Sequence, residues 1–111
     1  MKYQPKQGDI IIANLDPIKG REQQGRRPVL IVSSNEYYRL TGLLMICPIS
    51  QTKNMFPMHQ PLPELKTKGA VLTQHIRTID PDVREVSFLE KMPTASMNQI
   101  LNIIHLIFKD N

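Results

Sequence analysis

The sequence predicts a small, mainly β domain: a mostly antiparallel barrel with one helix at its C-terminal end. Two observations predict it. Short runs of β-branched and aliphatic residues alternate with turn residues over most of the chain, and the last segment changes to the apolar spacing of a helix. Several short strands followed by one helix fit a barrel that carries the helix on its rim.

The strands are short and apolar, and each is bounded by Gly, Pro, Asp or Asn. We predict strands over residues 9–15, 28–33, 43–49, 69–73, 76–79 and 86–89, and one helical turn over residues 35–40. Residues 43–49 are apolar enough to be covered on both faces of the sheet. Residues 55–65 contain three prolines, which exclude a helix interior and favour an extended edge strand or a loop.

The C-terminal helix is predicted from a starting signal and an apolar face. Ser96-Met97-Asn98-Gln99 has the S-x-x-Q form of a capping box. A wide apolar stripe follows between Ile100 and Phe108. Such a face on a small domain also suits contact with a second subunit.

Length and composition set the class of protein. The 111 residues suit one domain, residues 1–111, and 41% of them are hydrophobic, as in a globular protein. No apolar run reaches the roughly 20 residues of a membrane helix, and the N-terminus lacks the apolar region of a secretion signal. We therefore expect a cytoplasmic protein.

Metal and disulfide chemistry are not expected. The one cysteine, Cys47, lies among apolar residues and is predicted to be a buried, inert thiol. The histidines His59, His75 and His105 do not have the spacing of metal ligands. We expect no metal and no other cofactor.

The stretch GREQQGRRPVLIV points to an anion. Arg26 and Arg27 stand directly before Pro28 and the apolar run of a strand, between a glycine-bounded polar segment and the core. The net charge of +4 is weak evidence for nucleic acid by itself. A buried strand does not need a pair of arginines at its start, whereas guanidinium groups bind the oxygens of a phosphate well.

Four stretches together resemble the MazF/PemK family of bacterial toxins, the endoribonucleases of type II toxin–antitoxin systems. They are GDIIIANLDPIKG, GREQQGRRPVLIVS, ICPISQ and QHIRTID, in that order. The resemblance implies an SH3-like barrel of PemK/MazF type and a homodimer. It also implies metal-independent cleavage of single-stranded RNA at short sequences, and neutralisation by a small antitoxin with a flexible acidic tail.

The resemblance assigns catalytic roles to three of these residues. Arg27 matches the catalytic arginine, and its planar guanidinium suits stabilisation of charge on a phosphorane. The resemblance also implies an acid or base role for Arg27: it is implausible as a base because it stays protonated, whereas a role as proton donor stays open. Ser50 stands where relatives usually carry threonine and keeps the hydroxyl donor. Glu22 either orients Arg27, accepts the 2′-OH proton, or forms a salt bridge that holds the loop.

The chain departs from the family pattern at residue 74, where Gln74-His75 replaces an acidic residue and glutamine. If the acid is a base, His75 is a candidate to replace it, because its ordinary pKa is near neutral. If the acid only reads RNA, Gln74 changes the preferred sequence. Arg77 matches the arginine of the family's R-T-I-D segment, and the alternative is a structural pair with Asp80.

Further polar, basic and aromatic residues around these motifs suit a single-stranded backbone with splayed bases. The RNA-binding candidates are Arg21, Gln24, Arg26, Gln51, Lys53, Asn54, Phe56, Gln74 and Arg77. For Arg26 the alternative is solvent exposure, and for Phe56 it is a place in the core.

Two other classes of function stay open from the sequence. Toxins with the same barrel block DNA gyrase by protein contact, so fold alone does not decide the activity. A toxin-like protein that only binds an antitoxin or nucleic acid is the other. The intact arginine–proline signature favours the nuclease.

Overall fold

Seven strands and two helices occur in residues 2–16, 25–51 and 58–110, the residues that this computed structural model describes. They are β1 (Asp9–Asn14), β2 (Arg26–Ile31), α1 (Asn35–Thr41), β3 (Leu44–Ser50), β4 (His59–Pro61), β5 (Ala70–Leu72), β6 (Arg77–Ile79), β7 (Ser87–Lys91) and α2 (Thr94–Phe108). No helix in this part of the chain is long and apolar enough to cross a membrane.

One antiparallel sheet contains all seven strands, and β3 is its hub. The order is β4-β5-β3-β2-β1-β7, and β6 pairs with the first residues of β3. Along one edge β3 pairs with β2, and along the other it pairs first with β6 and then with β5. The predicted antiparallel fold with a C-terminal helix is confirmed. No ladder joins β6 to β7 within the described residues, so the barrel is open there.

The central strands β1, β2 and β3 are buried on both faces, as predicted for β3. Ile10, Leu30 and Cys47 face one core, which α2 covers with Met97 and Ile100. The other core consists of Ile11, Ala13, Val29, Ile31, Leu44, Ile46 and Ile79. Successive side chains of a strand point to opposite faces, so each central strand contributes to both cores.

Strand β2 starts at Arg26, two residues before the predicted start, because β1 supplies its partner. Asn14 lies opposite Arg26 and Ala13 lies opposite Arg27. The β2–β3 ladder begins only at Val29, opposite Pro48. Arg26 and Arg27 therefore pair with β1 and lie before the first residue of β2 that pairs with β3.

Hydrogen bonds fix the residues at the two ends of the connection between β1 and β2. The backbone N–H of Leu15 donates to the carbonyl oxygen of Gly25 at 3.0 Å. The guanidinium of Arg84 donates to the carbonyl oxygens of Asn14 and Asp16. The backbone directly before Arg26 and Arg27 is therefore fixed by a hydrogen bond.

The two helices differ in how far they match their predicted ends. Ser34 caps α1 by accepting the N–H of Tyr37 at 3.0 Å, and Gly42 ends it in the left-handed conformation. The predicted capping box of α2 is wrong: the helix begins at Thr94, Pro93 is its cap residue, and no side chain caps it. Ser96 lies inside the first turn.

Candidate active site

A pocket of about 430 Å³ lies where β2 begins and β3 ends. It is lined by Arg27, Pro28, Ile49, Ser50, Gln51, Lys66, Thr67 and Lys68. Antiparallel pairing places the start of β2 beside the end of β3, so residues far apart in sequence meet at one edge of the sheet. The three lining residues 66–68 are called the lysine loop below.

The predicted catalytic residues Arg27 and Ser50 share this pocket. Arg27 lies on the part of β2 that extends beyond β3, and Ser50 is the last residue of β3, paired with Ala70 of β5. Gln51, a predicted RNA contact, lines the same pocket. The register of two strand pairs therefore decides which predicted residues meet.

Gly69 allows the close approach of the lysine loop to Ser50. Its φ is +127°, and a Cβ atom there would stand 2.4 Å from the carbonyl oxygen of Ser50. Any other residue would be strained and would collide with the backbone. Glycine at this position thus brings the lysine loop against the end of β3.

The pocket is strongly cationic. Arg27, Lys66 and Lys68 contribute positive charge, and its described lining contains no carboxylate. Among the described residues, no hydrogen bond or ion pair to the Arg27 guanidinium is found. A planar cation with unused donors beside a hydroxyl residue suits a phosphate group.

Arg26 leaves the strand on the other face and is held there by Glu85. Its guanidinium donates to the carbonyl oxygen of Glu85 at 3.1 Å and lies 3.5 Å from the carboxylate. Adjacent residues of a strand point to opposite faces, so the two arginines cannot both face the pocket.

His75, Gln74 and Arg77 do not line the pocket. Thr73 lies beside Cys47, three residues before Ser50 on β3, a distance of about 10 Å at the rise of a strand. The amide nitrogen of Gln74 lies 3.2 Å from Nε2 of His59 on β4. Arg77 pairs with Ile46 in the β6–β3 ladder. These three residues therefore stand apart from Arg27 and Ser50 within one chain.

The alternative pairing of Arg77 with Asp80 is not found among the described residues. Instead, the Asp80 carboxylate accepts the backbone N–H of Asp82 at 3.0 Å and shapes the turn that follows.

Several predicted site residues lie outside the described residues. These are Arg21, Glu22, Gln24, Lys53, Asn54 and Phe56. Their predicted roles stay predictions.

Lys66, Thr67 and Lys68 are pocket residues that the sequence analysis missed. The local signal was present, since two lysines flank a threonine directly before a glycine. A short charged run is usually solvated surface, however, and only the β3–β5 pairing shows that this one reaches Ser50.

Cys47 is a core residue, as predicted. It is fully buried, and burial raises the pKa of its thiol to about 12. A thiol that stays protonated is a poor nucleophile, so Cys47 takes no part in the chemistry of the pocket.

Comparison with known proteins agrees with this architecture. Residues 6–108 match the family of PemK-like, MazF-like toxins of type II toxin–antitoxin systems. The endoribonuclease PemK of Escherichia coli is 34% identical, covering 96% of this chain and 84% of the relative. The endoribonuclease toxin MazF of Escherichia coli strain K12 is 31% identical over 70% of each chain.

Solved structures extend the similarity to the fold. MazF from Deinococcus radiodurans aligns with a TM-score of 0.82 at 31% identity, covering 96% of this chain and 97% of that one. A MazE–MazF structure from the same organism aligns with a TM-score of 0.82 at 26% identity, covering 99% and 100%. With the family match spanning nearly all of its length, this chain belongs to the PemK-like, MazF-like toxins of type II toxin–antitoxin systems.

Proposed function

We propose that this protein is the toxin of a type II toxin–antitoxin system and a metal-independent endoribonuclease that cuts single-stranded RNA at selected sequences. The observation that carries the proposal is the meeting of Arg27 and Ser50 in one cationic pocket. The names of the similar Escherichia coli proteins, endoribonucleases PemK and MazF, support the same activity.

The proposed reaction uses the substrate's own nucleophile. The 2′-oxygen attacks the neighbouring phosphorus, a 2′-O–P bond forms, and the bond from phosphorus to the 5′-oxygen breaks. The 2′-OH proton passes to a base, and the departing 5′-oxygen takes a proton from solvent water. The phosphorane oxygens carry the charge that the protein must stabilise.

Arg27 and Ser50 supply that stabilisation in our proposal. The guanidinium holds two phosphorane oxygens, and the Ser50 hydroxyl donates a hydrogen bond to one of them. For the base, His75 does not line the pocket that contains Arg27 and Ser50, so we assign the task to Glu22. RNA on either side of the cut is bound by the remaining predicted contacts, Gln51 among them.

The proposal extends to partners and location. The MazE–MazF structures of the Deinococcus protein support a cognate antitoxin, and the cationic pocket favours one with an acidic, flexible tail. We propose residues 1–111 as one toxin domain that forms a homodimer and acts in the cytoplasm, where mRNA is available. Sedimentation that gives only monomer at micromolar concentration would contradict the dimer.

The first test compares wild type, Arg27→Ala and Arg39→Ala on a long single-stranded RNA in EDTA, with the cut ends mapped. We expect discrete cuts by wild type and a loss of at least about a hundredfold in rate for Arg27→Ala. Arg39 is an exposed residue of α1 paired with Glu36, so its removal controls for the loss of one positive charge.

Failure of the folded wild type to cut varied RNAs would contradict the proposed activity. If it then still bound its antitoxin, the binding-module alternative would take its place. Equal cutting by wild type and Arg27→Ala would leave the nuclease but remove Arg27 from its site.

A further inference from the structure

A single carboxylate on β7 organises the lysine loop. Glu90 accepts the backbone N–H of Thr67 and its hydroxyl, each at 2.6 Å, and the N–H of Lys66 at 3.3 Å. The Thr67 hydroxyl, the two N–H groups and the charge of Lys66 hold the pKa of Glu90 below its usual range. Glu90 therefore stays ionised at neutral pH and binds the loop through three donors.

Glu90 is itself firmly placed. It lies opposite Ile10 in the β1–β7 ladder, and Ile10 is fully buried in the core. On the other side of the lysine loop, Gly69 presses against the carbonyl oxygen of Ser50. The loop is thus clamped between two strands of the sheet, one at Glu90 and one at Ser50.

The clamp presents two lysines to the pocket that contains Arg27. Lys66 and Lys68 both line it, whereas Thr67 between them is bound to Glu90. A single phosphorane needs only the charge of Arg27 and a hydroxyl donor. Two further cations suit another phosphate of a polyanionic strand.

We propose that Lys66 and Lys68 form a second phosphate subsite, which binds an RNA phosphate next to the one cut at Arg27, and that Glu90 is the positioning residue of this subsite. The inference rests on the proposed cleavage of RNA for the identity of the polyanion. It concerns binding of the strand and not the bond-breaking step.

The direction in which Glu90→Gln changes RNA binding distinguishes two roles for Glu90. Removing its negative charge raises the positive potential of the pocket, so electrostatics alone predicts tighter RNA binding by Glu90→Gln. Loss of the clamp predicts weaker binding, because one amide oxygen cannot replace two carboxylate oxygens that accept three hydrogen bonds. The direction of the change therefore separates a positioning role from a simple charge effect.

The test measures binding of a fluorescein-labelled, 2′-deoxy single strand, which lacks the nucleophile, at several salt concentrations. We expect Lys66→Ala and Lys68→Ala each to weaken binding about three- to tenfold and to lower the slope of log K against log salt by about 0.7. Glu90→Gln is expected to behave like them. In RNA cleavage it should raise KM with little change in kcat, as for an interaction made equally in ground and transition states.

Two matched controls belong to the experiment. Glu64→Gln removes one carboxylate charge from the segment that leads into the lysine loop, and Lys109→Ala removes a lysine beyond the end of α2; neither residue lines the pocket. Both should keep the wild-type salt slope. A Glu90→Gln variant that only lost thermal stability, with an unchanged salt slope and KM, would assign Glu90 a structural role and overturn its positioning role.

The remaining outcomes are distinct. Unchanged binding and slope in both lysine variants would overturn the subsite. Tighter binding by Glu90→Gln would overturn the positioning role. If wild type cut no RNA but the lysine variants still lost salt-dependent binding, the proposed cleavage would fail while the subsite would stand.

Discussion

Arg26 and Arg27 show how one residue of displacement along a strand changes the role of a side chain. Both are exposed and both belong to the same sequence motif. The alternation of a strand sends Arg26 to Glu85 and Arg27 to the pocket. The sequence motif predicted an anion site at this position. Of the two arginines, the proposed catalytic residue Arg27 lines the pocket, whereas Arg26 is paired with Glu85.

Ser50 provides a prediction about transition-state stabilisation. Ser50→Ala removes a hydroxyl donor from the pocket and is expected to lower kcat about a hundredfold, the usual cost of one such donor. Ser50→Thr keeps the donor and should cut at a rate near that of wild type. Single-turnover cleavage of one RNA by the three proteins makes the comparison, and equal rates for Ala and wild type would exclude Ser50 from catalysis.

His75 provides the opposite prediction. Because His75 does not line the pocket, His75→Ala should retain turnover within about threefold of wild type, as for a surface substitution away from the site. Glu22→Gln should lose turnover if Glu22 is the base. The pH dependence of kcat for both variants is the measurement, and loss of turnover by His75→Ala alone would return the base role to His75.

At the scale of elements, strand pairing and burial overrode local signals. The S-x-x-Q sequence predicted a helix start at residue 96, yet α2 begins at Thr94. The buried side chains of Met92 and Met97 and the hydrogen bond from the Met92 N–H to the Gly8 carbonyl, at 2.8 Å, determine how the chain enters the helix. A capping box stabilises by about 1 kcal/mol, less than the burial of two methionines.

The lysine loop makes a prediction at this scale. Gly69→Ala places a Cβ atom against the Ser50 carbonyl and forces a strained φ, so the β3–β5 contact must open. We expect a loss of about 1–3 kcal/mol in unfolding free energy together with a clear fall in RNA cleavage. Gly42→Ala is the control, since Gly42 has φ +74° but no atom within 4 Å of the added Cβ atom.

Urea unfolding and cleavage assays on these two glycine variants separate strain from displacement of the site. Gly42→Ala should lose stability without losing cleavage. If Gly69→Ala lost no more activity than Gly42→Ala, the close approach of the lysine loop would be irrelevant to function.

At the scale of the whole molecule, β3 connects the core to the site. Its residues contribute to both hydrophobic cores, pair with three other strands and end at Ser50. The groups that form the pocket are therefore positioned by the most buried part of the sheet. We therefore expect a loss of stability of the fold to disturb the proposed catalytic pocket as well.

That stability is expected to fall in alkali. Burial raises the pKa of Cys47 from an ordinary value of 9.0 to about 12, and burial followed by the hydrogen bond to Asp9 also raises the pKa of Tyr3. The unfolded chain then loses these protons first, so stability is complete below about pH 9 and decreases up to about pH 12. At about pH 10.5 the Cys47 contribution to this loss is about 2 kcal/mol.

Urea unfolding across this range measures the effect, and Cys47→Ala serves as the control. The variant should be less stable at neutral pH because of the small cavity, but it should lose less stability between pH 9 and 10.5. A pH dependence equal to that of wild type would show that Cys47 does not contribute to it.

The sequence by itself determined the class of fold and the buried thiol, and it singled out Arg27 and Ser50, which line one pocket in the structure. These follow from local patterns: apolar alternation, an isolated cysteine among apolar neighbours, and a motif with fixed spacing. Only the tertiary structure decided that Arg26 turns to Glu85, that His75 stands apart from the pocket, and that Lys66 and Lys68 join Arg27. The physical reason is that strand register and close backbone approach, as at Gly69, depend on partners distant in sequence.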